Sequence, residues 1–402
     1  MSLLTFAQYT VLMISYGGLA LGYLPGLRMN RATIALVGSA LLIGLGVLTL
    51  EEAWQAIDVT TIVFLLSMMV VNANLAYAGF FELMLAQLLR RTKSPLGLLI
   101  VLTLGSGLLS AFLLNDTIAI VFTPLVLKLA LSLQLNPIPY LLTLAAATNI
   151  GSVATINGNP QNILIGSFSQ MSYLNFAAAL APVAVLSLMM QIGLLLWLYP
   201  EVRSWKPVAG TADMIPQPRI YKPLFLKSVT VTVALFAAFV IGLPLAESAF
   251  VAAALLLITR RIKPERVLRY VEWDLLVMFS GLFILTRCTQ TLNLLELFGG
   301  WVSSSLGLVG VTTLLANVIS NVPAVLLLEP LIQPEDTQSW LLLAMSSTLA
   351  GNLTLFGAVA NLIVVEAAKS QGYSLTFWEH FRFGFPLTLL TIALGTAMIV
   401  LR

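Results

Sequence analysis

Long apolar stretches broken by short polar or Pro/Gly-containing joints make up almost the whole chain. From Leu129 through Pro200 there is no Asp, Glu, Lys, Arg or His. One membrane-spanning helix needs only about 20 apolar residues, so that stretch holds more than one pass. The pattern predicts spans near 7–26, 32–50, 57–77, 140–166, 174–198, 227–246, 248–260, 273–290, 340–365 and 379–401. Two further apolar stretches, 96–134 and 305–333, are interrupted at their centres by Leu114-Asn115-Asp116-Thr117 and Ser320-Asn321-Val322-Pro323. Both read as re-entrant hairpins, which enter and leave on one side. Non-helical backbone at membrane depth is tolerated where it is buried in protein or lines a cavity. The alternating short segments of a β-barrel are not present in the pattern. The expected fold is therefore all-α, polytopic and embedded in a bilayer.

Composition sharpens this reading. Of 402 residues, 59% are hydrophobic and 9% charged, against about 25% charged in soluble domains. A soluble globular domain, a disordered chain and a nucleic-acid binder are excluded. With one Cys (Cys288) and one His (His380), neither a disulfide framework nor a Cys/His metal cluster can form. Ten crossings and two hairpins put 18 of the 20 basic residues on one side, leaving Arg287 and Arg402 opposite. By the positive-inside rule that side is cytoplasmic, so both termini are expected outside the plasma (inner) membrane. The uncharged start Met1-Ser2-Leu3-Leu4 lacks the basic region of a cleaved signal peptide.

The chain also repeats itself. At an offset of 206, Leu109–Leu125 lies on Leu315–Leu331, with Asn115 on Asn321 and Pro124 on Pro330. At an offset of 200, Leu141, Leu142, Thr148 and Gly151 meet Leu341, Leu342, Thr348 and Gly351; one deletion later Asn162 meets Asn361. Upstream, Asp58 corresponds to Asp274. Each half then holds five crossings and one hairpin, and an odd number turns the second half upside down. The expected organisation is a first inverted repeat at 1–200, a polar Pro-rich cytoplasmic linker at 201–224 and a second repeat at 225–402. Inverted repeats with broken helices in matching positions are the signature of secondary transporters.

The broken spans, 140–166 and 340–365, carry most of the buried polarity. The first contains Gly158 and Pro160 among Thr155, Asn157, Asn159 and Asn162; the second carries Asn352, Thr354 and Asn361 around Gly351 and Gly357. Proline removes a backbone donor, and the unwound backbone leaves carbonyls and N–H groups for small ions. Asp116 is the one carboxylate placed deep in the membrane, where a charge costs about 2.5–3.5 kcal/mol, so an ion-coupling role is expected of it. Asp58 and Asp274 read as helix N-caps, Glu329 as a solvated side chain, His380 as a cytoplasmic-surface residue, and Phe80–Leu89 as an interfacial helix ahead of Arg90-Arg91-Thr92-Lys93.

The segments LLNDTIAIVFTPLVL, NIGSVATINGNPQNILIG and ISNVPAVLLLEPL resemble the ion transporter superfamily over nearly the whole chain, closest to its arsenical-pump membrane protein and citrate-transporter-like families. The resemblance implies two hairpins with Ser/Asn/Thr tips, each paired with a broken helix. Asn115, Asp116, Thr117, Thr155, Asn157, Asn159 and Asn162 would form one substrate or ion half-site, with room for Na⁺ at Asn115–Thr117 and Asn157–Asn162. Ser320, Asn321, Asn352, Thr354 and Asn361 would form the other. The Leu-Asn-Asp-Thr tip looks more like the arsenical-pump side, which implies proton-coupled export of a small oxyanion or its neutral acid. Sodium/proton antiporters belong to the same superfamily. The expected function is secondary active transport of a small anion or oxyacid driven by H⁺ or Na⁺, with no cofactor, no enzymatic activity and no nucleic-acid partner. A membrane-embedded enzyme, an ion channel and a subunit of a larger complex are the rivals; a homodimer and a separate ATPase subunit are both compatible with the sequence.

Overall fold

The computed structural model describes residues 2–90, 94–206, 220–260 and 262–402, and its regular elements are all helical among the described residues. The first half runs α1 (Leu3–Leu21), α2 (Arg31–Gly44), α3 (Leu50–Ala56), α4 (Val59–Tyr77), α5 (Phe80–Arg90), α6 (Pro95–Phe112), α7 (Asn115–Ser132), α8 (Ile138–Ser152), α9 (Pro160–Ser169) and α10 (Tyr173–Leu198). The second runs α11 (Lys222–Val240), α12 (Leu245–Leu257), α13 (Pro264–Leu268), α14 (Trp273–Thr291), α15 (Glu296–Val302), α16 (Ser305–Ile319), α17 (Asn321–Leu328), α18 (Thr337–Leu349), α19 (Val359–Ser370) and α20 (Phe377–Val400). Element by element, the two series correspond. The central part of the expected linker, 207–219, and the Arg91–Lys93 part of the basic loop lie outside the described residues.

Packing repeats the correspondence. Helix α2 lies on α14 and α4 on α12, the same contact with the halves exchanged. Likewise α7 lies on α19 and α17 on α9, α8 on α19 and α18 on α9, while α10 meets its own counterpart α20. Helices α4 and α14 are both 19 residues long, which makes Asp58 and Glu272, the two residues just before them, the equivalent pair. The Asp58–Asp274 pairing is thus corrected by two residues.

The local chemistry explains the ends. Asp58 caps α4 as expected, accepting from the Thr61 backbone N–H at 3.2 Å. Asp274 is not a cap: it sits inside α14 and accepts from Asn30 Nδ2 at 3.0 Å. Helix α5 is amphipathic and buries Phe81, Leu85, Ala86 and Leu89, the stripe an interfacial helix presents to its protein.

Among the described residues, seven helices are long and apolar enough to cross a bilayer: α1, α4, α6, α7, α10, α11 and α20. Helices α2 and α12, with 14 and 13 residues, reach only about 20 Å at 1.5 Å per residue. Both arms of the first hairpin, α6 and α7, have 18 residues, or about 27 Å each. The arms of the second are unequal at 15 and 8 residues.

Helix α6 packs most extensively on α8, because two glycines meet there. A methyl group on Gly151 would lie 2.0 Å from the Gly107 carbonyl oxygen, a backbone atom that cannot swing aside. Gly151→Ala is therefore expected to lower the melting temperature of the detergent-solubilised protein markedly, by an overpacking cost of about 1–3 kcal/mol or more. Gly193→Ala, in α10 with nothing within 4 Å, should leave it unchanged or raise it. Equal effects of the two would contradict this account of the α6–α8 contact.

Candidate functional site

The polar groups in the middle of the molecule arise from four helix interruptions. Residues 153–159 separate α8 from α9, and 350–358 separate α18 from α19. Only Leu113 and Leu114 separate α6 from α7, and only Ser320 separates α16 from α17. Helix ends carry orphan carbonyls and N–H groups, which in an apolar interior need protein partners.

The interruptions satisfy one another. Thr155 Oγ1 donates to the Ala111 carbonyl and Asn157 Nδ2 to that of Phe112 at 2.5 Å, closing the end of α6. The Asn115 backbone N–H at the start of α7 donates to the Gly158 carbonyl at 3.3 Å. In the second half Asn317 Nδ2 donates to the Ala350 carbonyl at 3.0 Å, and Thr354 Oγ1 to Asn317 Oδ1 at 3.2 Å. With its amide oriented to satisfy both ends, Asn321 Nδ2 donates to the carbonyls of Ser347 (3.1 Å) and Gly357 (3.0 Å). Each tip is thus anchored in its own half's break, at Gly158 in one and Gly357 in the other.

Inside the breaks one device occurs twice. Asn162 Nδ2 donates to the carbonyls of Ser152 and Thr155, both at 3.0 Å. Asn361 Nδ2 donates to those of Gly351 at 2.7 Å and Thr354 at 3.0 Å. The spacings, ten and seven residues back, are identical, and they set the register at 199 through this region rather than the 200 read from the sequence before the break. The caps differ. Asn159 caps α9 by accepting from the Asn162 N–H at 2.8 Å, whereas Ala358 in the same position before α19 offers no side-chain cap.

At that register Asn149 matches Thr348, and each reaches into the opposite break. Asn149 Nδ2 donates to Asn352 Oδ1 (3.0 Å) and Asn361 Oδ1 (3.2 Å). Thr348 Oγ1 accepts from Asn159 Nδ2 and Gln161 Nε2, both at 3.2 Å. Asn149 Oδ1 also accepts from Asn115 Nδ2 at 3.3 Å. A buried chain of amides therefore runs from the first tip across the molecule to the second break. Sequence reasoning missed Asn149, Gln161 and Asn317; the broken spans supplied the signal, but not which amides face across the molecule.

A cavity of about 470 Å³ lies against these parts. Of the residues expected in the site, it touches Asn115, Asp116, Ser320 and Asn321, and it adds Pro160, Gln161, Ala358 and Val359 from the breaks. The first turns of α7, α9, α17 and α19 all reach it, and each N-terminus carries a partial positive charge of about half a unit. Asn30, Arg31, Glu272 and Asp274 also line it, none of them foreseen as a site residue. Thr155, Asn157, Asn159, Asn162, Asn352, Thr354 and Asn361 do not line it; they build the frame behind it. Thr117 is half-buried on α7 just beyond the tip. Ser320 is held at φ +81°, ψ 159°, a region essentially reserved for glycine that costs about 1–3 kcal/mol.

Two further expectations are corrected. His380 is buried, not at the surface: its Nε2 donates to the Asn352 carbonyl at 3.0 Å, behind the second break. Glu329, at the end of the second hairpin, is half-buried rather than fully solvated. Among the described residues no group of three or more His, Cys, Asp or Glu side chains converges as a metal site.

The twin asparagine ties make a matched prediction. Asn162→Ala and Asn361→Ala each remove two buried hydrogen bonds to break carbonyls, and each should destabilise the protein by about 1–3 kcal/mol, read as similar drops in thermal stability. A large loss from one and none from the other would contradict the equivalence of the two breaks.

Comparison with known proteins identifies the lineage. A family model described as "Citrate transporter" matches residues 11–350. A silicon efflux transporter of Oryza sativa subsp. japonica is 32% identical, with 93% of this chain and 93% of that one covered. An inner membrane protein of Escherichia coli (strain K12), YbiR, is 30% identical over 87% and 90% of the two chains. Among solved structures, the fold resembles the YdaH transporter of Alcanivorax borkumensis (TM-score 0.57, 16% identity, 99% and 97% covered). It also resembles MtrF of Neisseria gonorrhoeae (TM-score 0.60, 12% identity, 99% and 94% covered). With most of its length matched by that family model and nearly all of it by the rice relative, the chain is a multi-pass membrane transporter and belongs to the citrate transporter family.

Proposed function

We propose that the chain is a secondary active transporter of a small, uncharged oxyacid, moved by alternating access of two inverted halves and coupled to a cation that Asp116 exchanges. The observation that carries this reading is the cavity in which both hairpin tips and the first turns behind both breaks meet. A substrate held there touches both halves at once, so a change in their relation changes its access.

The side chains favour the uncharged acid over a polyanion. Asp116, Glu272 and Asp274 stand in the cavity wall against one cation, Arg31, whose Nε is engaged by the Leu19 carbonyl at 3.1 Å. A tricarboxylate would meet three carboxylates at close range in a medium of reduced dielectric. Silicic or arsenous acid, uncharged near neutral pH, presents hydroxyl groups that both donate and accept. The amides of Asn30, Asn115 and Gln161 do the same, and Asn321, its donors held by the Ser347 and Gly357 carbonyls, offers its oxygen. The rice relative's role in silicon efflux agrees with this chemistry. A carboxylate substrate is the second reading, favoured by the four helix N-termini, which attract anions.

Asp116 is the titratable group at the first tip. Exchange of a proton, or of Na⁺, at that carboxylate would link the tip's charge to substrate occupancy. The basic face is then cytoplasmic, both termini are outside, the first hairpin is re-entrant from the cytoplasm and the second from outside. Tips buried at Leu113–Asp116 and Val322, rather than exposed as surface loops would be, support re-entrance even though the arms of the first hairpin are long enough to cross.

Purified protein in proteoliposomes provides the test. Counterflow of silicic acid or arsenite, but not citrate, is expected, with accumulation following a pH or a Na⁺ gradient imposed separately. Asp116→Asn keeps the volume and one oxygen while removing the charge. It should retain exchange and lose accumulation against a gradient. Citrate counterflow without oxyacid movement would reverse the substrate reading, and undiminished accumulation by Asp116→Asn would remove the coupling role.

A further inference from the structure

A second cavity, of about 520 Å³, is separate from the first and touches neither tip. Its lining is nevertheless the same architecture with the halves exchanged. The first cavity is lined by Asn30, Arg31 and Ala32 at the start of α2; the second by Pro244, Leu245 and Ala246 at the start of α12. The first has Asp274 and Met278 of α14; the second has Thr60 and Phe64 of α4. All five pairs fall at one register, 214. The left-handed glycines that end the preceding helices, Gly22 (φ +81°) and Gly242 (φ +83°), take part in the same way. Coincidence at this many positions, from three separate elements, is not expected of two unrelated surface hollows.

We propose that this second cavity is the substrate vestibule of the opposite membrane face, the counterpart of the open cavity, cut off from the tips here by the α4–α9 contact. Two observations describe the closure. Asp58 Oδ2 accepts from Ser167 Oγ at 2.7 Å, tying the start of α4 to the end of α9. Phe239 packs against Phe64 with ring centroids at 5.8 Å and against Tyr173 at 5.4 Å, and all three rings line the vestibule. On the open side the residues equivalent to Asp58 and Ser167 are Glu272 and Glu366. Two carboxylates supply no donor between them, so the matching tie is missing where the cavity reaches the tips. Breaking the Asp58–Ser167 tie therefore opens the vestibule toward the tips, and the other mouth closes.

This proposal rests on reading the tip cavity as the transport site, and thiol labelling tests it without reference to any substrate. In the full-length chain with Cys288→Ser, Thr60→Cys marks the vestibule, and Val322→Cys or Leu362→Cys marks the tip cavity. A membrane-impermeant methanethiosulfonate is applied to intact cells and to inverted vesicles. Thr60→Cys is expected to react from the face bearing Glu247, and the tip-cavity thiols from the opposite, basic face. Adding Ser167→Ala, which leaves the Asp58 cap on α4 in place, should raise labelling of the tip-cavity thiols from the Glu247 face about tenfold, the factor that one hydrogen bond to a carboxylate carries. Reaction of Thr60→Cys from the basic face only would overturn the proposal. So would an unchanged Glu247-face rate after Ser167→Ala while basic-face labelling attests a folded chain. Should Val322→Cys disturb the tip, Leu362→Cys reads the same cavity from α19. Failed oxyacid transport with this labelling intact would count against the substrate alone.

Discussion

The constraint on which the structure depends is that a helix interrupted inside an apolar medium must find partners for the backbone groups it releases. Each unsatisfied group in hydrocarbon costs several kcal/mol. This protein interrupts four helix pairs and lets the interruptions satisfy one another. Asn162 and Asn361 bind the carbonyls that their own breaks release. Thr155 and Asn157 close the end of α6, and Asn321 does corresponding work from the second tip. The polar centre is therefore a frame before it is a site.

That ordering explains why the expected binding residues divide into two groups. Asn157, Asn162 and Asn361, which hold the breaks together, have their donors committed to carbonyls. What remains for a ligand lies at the helix starts themselves: Asn115 and Asp116, Pro160 and Gln161, Ser320 and the amide oxygen of Asn321, Ala358 and Val359. The strained Ser320 belongs to this second group, where backbone outliers concentrate because the surroundings over-determine them. Asn149 and Thr348 join the groups, since each extends from one half into the other half's break.

Much of this was legible in the sequence, for physical reasons. Pro160, Gly158 and clustered amides cannot continue a helix in lipid, so the breaks and tips announced themselves, and Asn162 with Asn361 gave their correspondence. The helix ends followed from caps such as Asp58. Partners far apart in sequence left no such mark. Nothing local distinguishes Asn149, which faces Asn352 and Asn361 some two hundred residues away, from the Thr148 beside it, which bonds its own helix at Leu144 and Ala145. His380 was misplaced for the same cause: a polar residue near a span's end looks exposed until another element covers it. Register also drifted by one or two residues, because apolar helices align nearly as well one position off, and only the hydrogen-bond spacing fixes it.

The equivalence of the halves is close in backbone and loose in side chains, and the differences fall where they matter. Asp116 at the first tip corresponds to Val322 at the second, so one tip bears a charge and the other does not. Asn159 caps α9, but Ala358 leaves the start of α19 uncapped and facing the cavity. Arg31 matches Leu245, Asp274 matches Thr60, and the pair Asp58–Ser167 matches Glu272–Glu366. A perfectly symmetric molecule would have its two orientations at equal free energy. Substituting at these positions alone biases one orientation and gives one tip a titratable group. The shared framework of asparagine ties stays untouched. On the transport mechanism proposed above, repetition supplies a device that can face either way, and a few unmatched side chains decide which way it rests and what it exchanges to turn.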